Sequence, residues 1–259
     1  MILLQAHRGD SLNYPENTFP AYYGAIEAGY SFIELDTKFT KDNECVLIHD
    51  STVNRTGARA DGSDFEAPVN VADLTLAELK QLDFGCRFSE KFRGTEIPEL
   101  SELLAFVGMT KMSIKFDNII EDATAKQRDY FFEKIRGSGA EQYVGITAKS
   151  VGFAKEIAKK LGKCIIHYDG PTGEEIYKAL TAATAGHRLF IWLPSEKKGW
   201  LPYPPATGAD VELAKKYAEV GLWTAHDRES LDYIISLKPD AMELGGGITP
   251  AQVKALADF

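Results

Sequence analysis

Two histidines, an arginine and several carboxylates stand within the first fifty residues, each at the end of a short apolar run. His7 and Arg8 follow Ile2 to Ala6, Glu34 and Asp36 alternate with apolar residues in Ile33-Glu-Leu-Asp36, and His49 with Asp50 follows Cys45 to Ile48. Side chains two apart on a strand share a face, so Glu34 and Asp36 present carboxylates about 7 Å apart on one side. Such a pair makes a poor core and a good site for a hard divalent cation, Mg2+ or Ca2+, bound through oxygen. The cation would polarise a phosphoryl oxygen while Arg8 and Lys115 neutralise the other charged oxygens. Imidazoles titrate near neutrality, so His7 and His49, from opposite sides, suit a base and an acid in either assignment. The chemistry of the set is phosphoryl transfer.

Position depends on the elements that carry these groups. A first strand is predicted over 2–6, followed by a helix-period run (Phe19, Tyr22, Tyr23, Ile26) closed by Gly29, and a second strand over 31–36. Only eight residues separate Asp36 from Cys45, whereas a parallel crossover needs roughly a dozen. Residues 45–49 must therefore return antiparallel, which brings His49 back beside Glu34 and Asp36. Residues 51–98, with Gly57, Gly62, Gly85 and Gly94 and a short helical run at 75–82, read as an excursion. After a helix at 99–106, strands are predicted at 111–116, 142–147, 163–168, 188–193, 221–225 and 240–244. Helices are predicted at 123–136, 150–161, 173–184, 210–220 and 228–237, with a last one after Pro250.

Without the antiparallel return, eight strands remain, each followed by a helix or an excursion. That pattern predicts an α/β fold, a closed (β/α)8 TIM barrel, as one domain over 1–259 with a small insertion at about 51–98. The proline-rich link from Lys197 to Thr207, with Trp200, reads as an ordered active-site loop. Active sites of such barrels lie at the C-terminal strand ends, where His7, Arg8, Glu34, Asp36, Lys115, Tyr168 and Trp223 fall.

The formal charge of −9 argues against a nucleic-acid partner. It leaves room for a small phosphorylated substrate, because a local Arg, Lys or metal can reverse the field inside a cleft. Cys45, Cys86 and Cys164 are widely spaced and odd in number, which suggests free thiols in a reducing compartment. No run approaches the ~18 apolar residues of a membrane span, and the chain leads directly into the His7 motif. A cytoplasmic protein with no stable membrane insertion is expected.

As a set, Ala6-His-Arg-Gly9, Pro15-Glu-Asn-Thr18, Ile33-Glu-Leu-Asp36, Thr40-Lys-Asp42 and Ile48-His-Asp50 resemble the signature of glycerophosphodiester phosphodiesterases. Asn54-Arg-Thr56, Leu74-Thr-Leu-Ala-Glu-Leu79 and Ile97-Pro-Glu-Leu100 look like that family's excursion after the second histidine, and Trp223-Thr224 like its penultimate strand. The match is dense over 5–103 and thin afterwards. The resemblance implies hydrolysis of a glycerophosphodiester to glycerol 3-phosphate and an alcohol. It implies His7 and His49 as the acid/base pair, Arg8 on the phosphate, Glu34 and Asp36 on the metal, and Glu16 and Asn17 shaping the first loop. Glu16-Asn17-Thr18 also reads as a helix N-cap.

One departure stands out. The family's fourth strand usually carries a metal-binding Glu two residues before a Lys, and here Ser113 occupies that place before Lys115. Glu243, an acid inside an apolar run of the last strand, is the preferred substitute. Asp117 is the second, and an ordinary surface role is open for either. Gly245-Gly-Gly247 could cradle a phosphate or simply connect two elements. Trp192, Trp200, Tyr203 and Trp223 could line a headgroup pocket, with barrel packing the alternative for Trp192 and Trp223. His167 and His226 lean to structural roles, His226-Asp227 as a cap. Two other readings follow from the residues: a relative that cleaves phospholipid headgroups at a membrane, and a barrel that binds phosphodiesters without turnover, which Ser113 would explain.

Overall fold

Eight apolar runs become the parallel staves of one closed barrel. In chain order the strands are β1 (Leu3–His7), β2 (Phe32–Leu35), β3 (Thr37–Phe39), β4 (Cys45–Leu47), β5 (Ser113–Phe116), β6 (Val144–Ala148), β7 (Ile165–Tyr168), β8 (Leu189–Pro194), β9 (Glu219–Ala225) and β10 (Ala241–Leu244). The structure, a computed structural model, describes residues 2–196 and 204–256. The barrel runs β1-β10-β9-β8-β7-β6-β5-β2 and closes with β2 beside β1. This is the expected (β/α)8 architecture. Trp200, Tyr203 and most of the Lys197 to Thr207 link lie outside the described residues.

β3 and β4 form the separate antiparallel pair that the spacing demanded, with Thr37 opposite Leu47 and Phe39 opposite Cys45. The pleat of β4 divides its side chains between two cores: Cys45 and Leu47 join the main barrel core, while Val46 joins a second cluster. That cluster is the excursion's own, built on Val53, Val71, Leu79, Phe84 and Ile97 together with Ile48. Asp83 ties its loops by accepting the backbone N–H groups of Gly85, Cys86 and Gly94. Residues 51–98 therefore back the hairpin that carries His49.

The largest difference from expectation lies at 210–220. The helix there is Gly208–Ala214, and β9 already begins at Glu219. Two anchors draw residues 219 and 220 into the sheet: the Arg188 guanidinium grips the Glu219 carboxylate at 2.6 and 2.7 Å, and the Val220 N–H donates to Asp240 Oδ2. The helix Leu100–Thr110 is longer than expected, ending at Lys111 in the left-handed region.

Inside the barrel, Phe32, Phe190, Trp192 and Ala241 form a floor toward the N-terminal strand ends. Ser113 belongs to that level, paired with Phe32, whereas Lys115 pairs with Glu34 two residues further up.

Candidate active site

The upper end of the barrel opens as a cavity of about 350 Å3 lined by His7, Arg8, Glu34, Asp36, His49, Lys115, Asp117, Asp169, Trp223, Thr224 and Glu243. The strands set most of these positions directly. His7, Glu34 and Lys115 stand in register across β1, β2 and β5. Asp36 follows β2, and its carbonyl oxygen accepts the Ile48 N–H at 3.1 Å, which brings the hairpin's return past the site and leaves His49 at its mouth.

Arg8 leaves β1 with φ +60 and Asn17 has φ +55, a conformation costing ~1 kcal/mol or more for a non-glycine residue. Both strained residues engage the acids. The Arg8 backbone N–H donates to Glu34 Oε2 at 3.0 Å, and its guanidinium lies 3.3 Å from Asp36 and 3.1 Å from Glu16. Asn17 donates to Asp36 Oδ2 at 2.9 Å and accepts the Asp36 N–H at 3.2 Å. Gly9, at φ +81, is required beside them, because a Cβ there would stand 2.8 Å from that of Ala21.

A line of charges runs along the rim. His49 Nδ1 lies 2.6 Å from Asp50 Oδ1. Arg55 grips Asp50 with two N–H groups and Glu16 with two more, and Glu16 holds Arg8. Carboxylate contact at Nδ1 favours the tautomer that leaves Nε2 available for proton transfer. The Arg55 guanidinium holds the Asp50 carboxyl down at about 2, with His49 assisting against burial.

Within the cavity, ligand oxygens of Glu34, Asp36 and Asp117 all lie within 4.8 Å of one another. Burial, then the charges of Asp36, Glu243 and Asp117, push the Glu34 carboxyl well above its ordinary value, and Lys115 opposes them. Three hard oxygen donors crowded so closely, one of them pushed toward its neutral form, are the donor set a divalent cation fits.

Glu243 shares the cavity but is otherwise engaged. Its oxygens accept from Thr224 Oγ1, at 2.6 Å, and from the Gln5 amide. Burial alone would raise its carboxyl; the charges of His7 and Lys115 and those two bonds hold it below the usual range. The Thr224 contact comes from an irregularity in β9: Met242 pairs with Leu222 and Leu244 with Ala225, so Glu243 faces both Trp223 and Thr224. The carboxylate whose oxygen lies within 4.8 Å of those of Glu34 and Asp36 is Asp117, the second of the two substitutes, while Glu243 lines the same cavity.

Other expected positions fall elsewhere. Glu16 braces the two arginines and Asn17 braces Asp36; the helix Phe19–Ala28 has Thr18 at its N-cap without a side-chain capping bond. Tyr168 is buried, its hydroxyl donating to the Pro171 carbonyl. Trp192 lies in the floor, bonded to His167. Gly245-Gly-Gly247 forms a tight turn, where a Cβ on Gly246 would stand 2.5 Å from the His226 carbonyl oxygen. Asp227 beside His226 caps the helix Arg228–Ser236. Sequence reasoning gave no role to Asp169, whose carboxyl burial pushes up to about 6 against the pull of Lys115. Its place just past the apolar run of β7, the fifth barrel stave, was the available signal. Arg55 was visible only as part of a motif.

Residues 7–162 match the model of the glycerophosphoryl diester phosphodiesterase family. A glycerophosphodiester phosphodiesterase of Caldanaerobacter subterraneus is 42% identical over 141 residues, covering 51% of this chain and 55% of that protein. One from Bacillus altitudinis is 40% identical over 107 residues, covering 41% and 40%. The chain thus spans about half the length of the curated relatives it matches. A solved glycerophosphoryl diester phosphodiesterase from Parabacteroides distasonis superposes with TM-score 0.75 at 20% identity, covering 98% of this chain and 85% of that one. An Oleispira antarctica phosphodiesterase, solved with the product sn-glycerol-3-phosphate, superposes with TM-score 0.74 at 18% identity over 99% and 97%. These structures share the fold.

Proposed function

The chain belongs to the glycerophosphoryl diester phosphodiesterase family, and we propose on that premise that it hydrolyses a glycerophosphodiester to glycerol 3-phosphate and an alcohol. The observation that carries the reading is one cavity lined by two histidines, two cationic side chains and a three-carboxylate cluster. The product named for the Oleispira antarctica relative is of the same class.

His7 and His49 serve as the acid/base pair: one imidazole takes the proton of the attacking hydroxyl or water, and the other gives a proton to the departing alcohol oxygen. Asp50 orients His49 through Nδ1. Arg8 and Lys115 bind the charged phosphoryl oxygens and stabilise the charge that grows on them in the transition state. Glu34, Asp36 and Asp117 hold the divalent cation, Mg2+ or Ca2+, which supplies Lewis-acid polarisation of the phosphoryl group when bound. Trp223 and Asp169, on the far wall, meet the alcohol or the glycerol hydroxyls. Ser113 favours a barrel that only binds phosphodiesters; the Asp117 carboxylate beside Glu34 weighs against that alternative. Among the described residues no helix is long and apolar enough to cross a membrane, and a small free diester is the substrate proposed.

The test is release of glycerol 3-phosphate from a panel of glycerophosphodiesters with Mg2+, with Ca2+ and with chelator, beside the His7→Ala variant. Metal-dependent release that disappears in H7A is the expected result. Absence of release from every substrate and metal overturns the reading in favour of a binding barrel.

A further inference from the structure

Lys115 is only 3% exposed, yet among the described residues its ammonium makes no ion pair and no hydrogen bond. Its ammonium instead sits over the Trp192 ring, 4.4 Å from the centroid. The carboxylates that feel its charge, Glu34, Glu243 and Asp169, act on it across the cavity. A lysine head is a compact charge on a flexible stem, so the electron-rich indole face is what fixes its direction.

The indole is fixed in turn. Trp192 Nε1 donates to His167 Nδ1 at 2.8 Å, and the His167 ring stacks on Phe190 with centroids 5.1 Å apart and planes 9° from parallel. Tryptophan can only donate, so His167 accepts as the neutral ring with its proton on Nε2. Burial, followed by the charge of Lys115, holds its pKa well below the ordinary value. Space for both rings is cut from the backbone. A Cβ on Gly221 would stand 2.5 Å from the indole, and one on Gly145 would stand 2.4 Å from His167 Nε2. Gly145 is also the β6 residue paired with Lys115.

We propose that Trp192 and His167 are positioning residues for the diesterase reaction: their hydrogen bond sets the indole plane, and the indole face aims the Lys115 ammonium at the substrate's phosphoryl oxygens. The proposal rests on the reading that this cavity takes a phosphoryl group.

A double-mutant cycle on the whole chain tests it. Two quantities, kcat/KM for a glycerophosphodiester and the affinity for inorganic phosphate by calorimetry, are measured for wild type, W192L, K115M and W192L/K115M. W192L is expected to lower both by about 30-fold, the scale of a desolvated cation–π contact. In the K115M background the same change should alter them less than about twofold, because the ring then has nothing to aim. H167Q, whose side-chain oxygen accepts the indole N–H, should retain what H167L loses. Thermal melts identify a variant that does not fold, and W192F, which keeps a ring in place, carries the cycle if W192L fails. Equal losses from the Trp192 change in both backgrounds overturn the proposal and leave the ring a packing element. Turnover without coupling sinks the positioning role alone. Coupling in phosphate affinity without turnover sinks the diesterase reading alone, and a wild-type chain that neither binds phosphate nor turns over sinks both.

Discussion

Replacing Arg55 with alanine removes four N–H···O contacts at once, two to Asp50 and two to Glu16. The Arg55 side chain is 46% exposed, so its ion pairs are screened by solvent and contribute ~0.5–1 kcal/mol each. Stability should fall by ~1–2 kcal/mol, a melting-point drop of ~2–8 °C for a chain of this size. Activity should fall further. Asp50 keeps only its 2.6 Å contact with His49, and Glu16 only its 3.1 Å contact with Arg8, so the imidazole proposed as acid or base and the arginine proposed to bind the phosphate each lose their brace. Displacement of a reacting group by ~1 Å can cost ~100-fold, and kcat/KM is expected to drop ~10- to 100-fold under conditions where the variant is fully folded. The acid limb of the stability profile gives a second readout. Asp50 titrates at about 2 when folded, chiefly through its bond from Arg55, against ~3.9 unfolded. Its contribution is therefore present above about pH 4 and lost as pH falls toward 2, and R55A should lose most of that dependence. R55K supplies the charge without the planar fork and should recover stability but little activity. Should R55A stay within about twofold of wild-type kcat/KM, or R55K be fully active, the rim of charges is only a surface ornament and the bracing argument is wrong.

Adding Mg2+ or Ca2+ at about one hundred times its Kd should stabilise the protein by ~2.7 kcal/mol, seen as a rise of ~5–10 °C in calorimetry; Asp117→Asn should remove most of that rise, and a rise it leaves intact would put the cation elsewhere. The gain should shrink as pH falls, because the Glu34 carboxyl, held well above its ordinary value by burial and its acidic neighbours, must lose its proton to bind the ion. Gly145→Ala would thrust a Cβ to 2.4 Å from His167 and should cost ~1–3 kcal/mol by overpacking. Gly108→Ala, in the helix Leu100–Thr110 with nothing within 4 Å of the new Cβ, should instead stabilise by ~0.4–1 kcal/mol, and thermal melts that fail to separate the two would contradict the packing assignment.

The barrel was legible because apolar runs and helix-period segments alternate along the chain, and because the short link from Asp36 to Cys45 permits only an antiparallel return. Those features are local. What escaped the sequence depends on partners distant along it. Glu243 reads as a promising ligand, and the sequence does not show that Gln5 from β1 and Thr224 from the irregular stretch of β9 each donate to one of its oxygens. Asp117 lies just past β5, where periodicity gives no direction, yet the chain turns it toward Glu34 and Asp36. Helical periodicity carries the expected helix on to residue 220, whereas the grip of Arg188 on Glu219 pulls residues 219 and 220 into the sheet. The excursion was visible as motifs, but its separate hydrophobic cluster behind β4 was not. Arg55 stood in plain view there, and its role exists only because residue 16 folds against residue 50.

With Phe32, His167, Phe190 and Trp192 filling the interior below Lys115, the cavity is a cul-de-sac rather than a tunnel. In the proposed reaction, water, substrate, alcohol and phosphorylated product would all pass one mouth. On the proposed reaction an uncharged alcohol would depart while the anion still rests against Arg8 and Lys115. The closed end would thereby impose an order of exit on the proposed reaction, and it would make the last product to leave a rival of the next substrate to enter.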